Sequence, residues 1–231
     1  MKILSVDVSY CSLGYCLFNT DSNKLTSYTI KFNSILSLNK KEKESYCTEE
    51  VLETIDNVKE LKDLIKNARI KEEIKHWEDQ LKPMESFLDD YWKNVRCSLF
   101  YQQLKSFSFD VMVVEKQFSV ISDVFAVTRL ASVHIVDPYI INSSMNSIKS
   151  FKSYYPTSWR KILFGSGNIG KSVDAKKFTK EKMNVILNNM GLEHKFNSGD
   201  EIDAFALLMT YLKENKLIDE KIFENIKVGD K

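Results

Sequence analysis

The segment FDVMVV at residues 109–114 constrains the chain more than any other stretch, because an almost continuous apolar run, interrupted only by Asp110 and followed by an acid, reads as a short strand buried on both faces. Such strands sit beside a parallel neighbour under helices, so an α/β sheet is expected. The opening KILSVDVSYCSLGYCLF has the same character, with Asp7 at the end of an apolar strand over residues 2–8 and a second strand from Gly14 to residue 19. A third strand is expected over about 25–32, making an antiparallel meander with turns at 9–12 and 20–24. Further along, the pattern predicts a helix over 119–144 kinked near Pro138, a strand near 148–155, a short helix over 157–164, and helices near 173–190 and 200–215. Strands followed by alternating strand and helix amount to a mixed sheet flanked by helices.

Between these parts the composition changes. From about 40 to 82 the residues are mostly charged, with Val51, Leu52, Ile55, Val58, Leu61 and Ile65, then Ile70, Ile74, Trp77 and Leu81, at helical spacing. An inserted helical pair is expected there, broken by Pro83, with a new helix carrying Phe87 to Leu104. The expectation is thus one domain over 1–231 with a helical insertion at about 40–82. With 43% hydrophobic residues the chain can bury a sizeable core. No membrane span is indicated, and a basic leader followed by an apolar stretch is missing from the start, so work inside a cell rather than secretion is expected. Cys11, Cys16, Cys47 and Cys97 form no C-x-x-C pair, which argues for reduced, packed thiols over zinc or disulfides.

Four acids stand out. Asp7 and Glu115 each end an apolar strand, where an ionised carboxylate is costly without a partner or a metal. An Asp before a turn can also simply receive backbone N–H bonds. In SGDEIDAFALLMTYL, Asp200 and Asp203 are three apart and share one helical face. Either Ser198 or Asp200 could cap this helix, and the helix dipole accounts for Asp200 better than for Asp203. Carboxylates from separate elements are what two hard ions such as Mg²⁺ need for phosphodiester hydrolysis. Residues 145–195 add ten Lys/Arg against Asp174, Glu181 and Glu193, a balance that suits either phosphate backbones or an ordinary solvated face.

Taken together, KILSVDVSYCSLGYCLF, FDVMVVEKQF and DEIDAFALL resemble the RuvC-like Holliday junction resolvases of the ribonuclease-H-like superfamily, although Ser9 stands where those proteins usually carry Gly. The resemblance covers about 1–36 and 84–215. It implies a mixed five-stranded sheet flanked by helices and an Mg²⁺-dependent endonuclease, with Mn²⁺ able to substitute, in which Asp7, Glu115, Asp200 and Asp203 hold the metal. It implies a homodimer acting on branched DNA, four-way junctions above all, since paired symmetric incisions suit a two-fold protein.

In WRKILFGSGNIGKS it places Arg160 or Lys161, and then Lys171, on DNA phosphates, with Lys171 also at the scissile group. Lys176 and Lys177 belong to the same basic segment. Phe118 falls where the family has an aromatic near the crossover, to stack on a base or to pack in the core. The segment GSGNIGKS formally meets the P-loop pattern, but it follows a predicted helix instead of a strand and no matching acidic strand lies downstream. The insertion has no counterpart in the compact bacterial enzymes and points to a viral or phage member. The other readings are a ribonuclease-H-like nuclease for other branched DNA or RNA–DNA hybrids, and a junction-binding protein without catalysis. The actin-like sugar-kinase fold is disfavoured by the chain's length and by the missing glycine-rich turn after Asp7.

Overall fold

A computed structural model describes residues 1–8, 12–105, 107–116, 150–169 and 174–228. These fall into two compact units, one formed by 1–31 with 101–231 and the other by 32–100.

The first unit is built on a five-stranded sheet in the order β3-β2-β1-β4-β5. The strands are β1 Lys2–Val8, β2 Ser12–Asn19, β3 Lys24–Lys31, β4 Val111–Glu115 and β5 Ser150–Tyr154. The first three pair antiparallel, and β4 runs parallel to both β1 and β5. A mixed five-stranded sheet flanked by helices is the architecture that the sequence leads one to expect. Position in the sheet explains each strand's composition. Central β1 and β4 bury Ile3, Leu4, Val6, Val111, Met112, Val113 and Val114 on both faces, whereas edge strand β3 alternates exposed and half-covered residues.

Helices α4 Pro156–Phe164, α5 Ala175–Asn189 and α6 Gly199–Glu214 belong to this unit, with a short 3-10 turn at Glu220–Phe223 after them. Pro156 starts α4 at a position that needs no N–H donor, and Gly165 ends it with φ 76°, a left-handed turn natural to glycine. Ser198 caps α6 by accepting the Glu201 N–H. Every residue of α6 from Ala204 to Leu212 is buried, so this helix is the centre of the core and not a surface helix. Trp159, Leu163 and Phe164 of α4 and Met183, Ile186 and Leu187 of α5 pack into the same cluster.

The second unit is helical, with α1 Lys40–Tyr46, α2 Glu49–Asn67 and α3 Lys71–Lys105 as far as residue 100. Ile35, Leu38, Val51, Ile55, Val58, Leu88 and Trp92 form its core, and the Trp92 indole donates to the Asn33 carbonyl at 2.9 Å. The expected break at Pro83 does not occur, because α3 continues through it. Proline removes one N–H, which leaves the Asp79 carbonyl without its helical donor. Both residues lie on the exposed side of α3, where water can serve that carbonyl. The helix predicted over 119–144 lies outside the described residues. Among the described residues no helix is long and apolar enough to cross a membrane. Cys16 and Cys47 are free thiols.

Candidate active site

Asp7 and Glu115 come together through strand register. Val6 of β1 lies beside Val114 of β4 in a parallel pair, so the next residues, Asp7 and Glu115, emerge at the same end of adjacent central strands. The third and fourth acids arrive on α6, which packs against β1 and β2. Asp7 is the cross-strand partner of Gly14, and directly opposed residues project to one face. A Cβ on Gly14 would collide with the Asp200 backbone and come within 2.7 Å of the Asp200 Cβ. The bare glycine therefore lets the first turn of α6 settle against β2, beside Asp7. Ser12 Oγ donates to the Asp200 carboxylate at 2.6 Å.

The electrostatics follow from this crowding. Asp7 is 8% exposed, and burial first, then the charges of Glu115, Asp203 and Asp200, push its carboxyl well above the usual range. Asp203 is pushed up to about 7, mainly by burial and then by Glu115, with Asp200 adding to it. Glu115 is raised by burial, against the pull of a hydrogen bond from Trp159 and of the Arg160 charge. The site therefore carries negative charge that the described protein groups offset only in part. Lys176 favours the ionised forms of Asp7 and Asp203, and Arg160 favours those of Glu115 and Asp203.

The predicted basic residues divide accordingly. Arg160 lies over the Trp159 ring at 4.9 Å, with its Nε buried and without a hydrogen-bond partner among the described residues. Lys176 is in the first turn of α5, where Asp174 caps the helix. Lys161 and Lys177 are exposed on α4 and α5, and neither enters the electrostatics of the acids. Lys171 and Phe118 lie outside the described residues.

Two residues of the site were not singled out from sequence. Trp159, fully buried, donates its indole N–H to Glu115 at 2.8 Å. Its place next to Arg160 was the available signal. Glu201 is 1% exposed between Asp200 and Asp203, and the signal was the S-x-x-E pattern of a capping box at 198–201.

Carboxylate oxygens from three elements, one of them deeply buried, suit a hard divalent cation by donor chemistry. Among the described residues, no three Asp, Glu, His or Cys side chains stand close enough as they are to grip one ion. The acids form an electrostatic cluster, and coordination would require their side chains to draw closer together.

No family model matches the chain, and no curated protein does. Among solved structures it is similar to T. thermophilus RuvC in complex with Holliday junction substrate, at 11% identity and a TM-score of 0.48, over 94% of this chain and 96% of that one. A second Thermus thermophilus RuvC structure is similar at 11% identity and a TM-score of 0.45, with the same coverage of 94% and 96%.

Proposed function

We propose that this protein is a metal-dependent endonuclease that resolves four-way DNA junctions. The observation that carries the reading is the cluster of Asp7, Glu115 and Asp203, whose carboxyls are raised by burial and Asp7 and Asp203 also by neighbouring acids, with Arg160 and Lys176 beside them. Repelling acids at the end of central strands are stable as anions only when a cation joins them.

Asp7, Glu115, Asp200 and Asp203 would hold Mg²⁺, or Mn²⁺ in its place. Bound there, the ion supplies a water of lowered pKa and offsets charge on the phosphoryl oxygens. The chain's own groups do the rest. Trp159 holds the Glu115 carboxylate in place through its indole N–H. Arg160 and Lys176 supply positive charge beside the acids, where a phosphate oxygen would be drawn. The choice of junctions over other DNA rests on the motif resemblance, as do the homodimer and the stacking role of Phe118.

The test is cleavage of junction, flap, RNA–DNA hybrid and plain duplex by the purified protein with and without Mg²⁺. Preferential Mg²⁺-dependent junction cleavage, abolished by Asp7→Asn, is expected. Preferential hybrid cleavage would defeat the junction reading, and binding without any Mg²⁺-dependent cleavage would defeat the nuclease reading.

A further inference from the structure

Glu201, which the proposed chemistry does not use, is an extensively bonded acid of the first unit. Its carboxylate accepts Ser27 Oγ at 2.6 Å and Thr29 Oγ1 at 3.1 Å from β3, and the Asn197 N–H at 3.2 Å from the loop before α6. Ser27 and Thr29 are two apart and so project from one face of β3. They are the register partners of Cys16 and Gly14, and Gly14 in turn pairs with Asp7. Cys16 Sγ also donates to the Glu201 carbonyl at 3.4 Å. Glu201 thus joins the first turn of α6 to the part of the sheet that carries Asp7.

Proton directions can be assigned through this network. Ser27 and Thr29 donate their hydroxyl protons to the Glu201 carboxylate. Ser27 Oγ is then left to accept from His194 Nε2–H at 2.7 Å, and Thr29 Oγ1 to accept from the Ser198 hydroxyl beside it. Ser198 Oγ closes the ring by accepting the Glu201 N–H at 3.2 Å. Each hydroxyl donates once and accepts once, and a satisfied buried network of this kind is rigid. In an ordinary capping box the glutamate returns to the N-cap N–H. Here it takes the N–H of the preceding residue, Asn197, together with two hydroxyls of a strand. Those strand contacts go beyond what capping a helix requires.

We propose that Glu201 is a positioning residue for the metal site, and that by anchoring the first turn of α6 to Ser27 and Thr29 it sets where Asp200 and Asp203 stand relative to Asp7. The inference rests on the metal-dependent reading above. Groups that orient metal ligands commonly change metal affinity about 10–100-fold when removed.

The test is Mn²⁺ titration of the intact chain without DNA, followed calorimetrically. Glu201→Gln should raise the Mn²⁺ dissociation constant about 10-fold, and Ser27→Ala, which deletes one donor, should shift it in the same direction by less. Leu187→Ala, a core truncation on α5 that destabilises without touching the acids, should bind as wild type at a temperature where all variants are folded. If Glu201→Gln fails to fold, Ser27→Ala decides, and wild-type affinity in that variant overturns the proposal. Wild-type affinity in Glu201→Gln, or an equal loss in Leu187→Ala, overturns it as well and leaves the metal reading intact. Absence of Mn²⁺ uptake by the wild type overturns the metal reading, and this inference with it.

Discussion

The backbone of Asp200 occupies the space that a side chain on Gly14 would need, so the position of one candidate metal ligand depends on the absence of a Cβ across from another. Gly14→Ala should force the first turn of α6 off β2. Overpacking of this kind costs about 1–3 kcal/mol, and a displacement near 1 Å at the acids costs about 100-fold in rate. Thermal melting together with single-turnover cleavage tests both effects. A variant that melts lower but cleaves as fast as wild type would show that the close approach serves packing alone.

Asp203 should make the metal-free protein less stable as pH rises. Its carboxyl is held at about 7 in the folded protein, against about 3.9 for an unfolded aspartate. The unfolded chain therefore releases this proton first, and the stabilisation is complete below about 4 and lost as pH climbs to about 7. Asp7 and Glu115, raised in the same direction, add to the trend. Melting temperatures taken without metal between pH 5 and 7.5 should fall, and Asp203→Asn should flatten the slope. Cleavage, which needs the ionised acids, should instead rise with pH through this range.

Trp159→Phe keeps a ring in the core and removes the donor to Glu115. A hydrogen bond to a charged group contributes about 1.5–3 kcal/mol, and losing it should raise the Glu115 carboxyl further. The rising limb of the pH–rate profile should move to higher pH, with kcat down about 10-fold. An unchanged profile would remove Trp159 from the working site.

Arg160 and Lys161 are neighbours with different expected effects. Of the two, Arg160 is the one that stabilises the ionised Glu115 and Asp203. Arg160→Ala should lower cleavage and shift its pH dependence upward, as well as reduce the salt slope of junction binding by about one. Lys161→Ala should reduce the salt slope and leave the pH profile where it was. Identical profiles for the two variants would show that Arg160 acts only as a phosphate contact.

Much of the fold was legible because burial imprints itself on short segments. The apolar run before Glu115 announced a central strand, and β4 has parallel neighbours on both sides. The predicted end of a helix at Pro83 was wrong for a local reason, since a proline on the exposed side of a long helix leaves its orphan carbonyl to water. Either Ser198 or Asp200 was expected to cap the late helix, and Ser198 does so. The reach of Glu201 to Ser27 and Thr29 could not be read from the local sequence, because those partners lie more than 170 residues away in the chain.

The sequence by itself determined that acids would stand at the ends of two buried strands and on one face of a late helix, because hydrophobic period and strand length are local properties. Only the tertiary structure decided that these acids share one site. The parallel register that sets Val6 beside Val114 carries Asp7 and Glu115 to the same edge, and the bare Cα of Gly14 admits Asp200 and Asp203 next to them. Register and close approach belong to pairs of distant segments, and so do the burial and, after it, the repulsion from Glu115 that lift Asp203 toward neutrality.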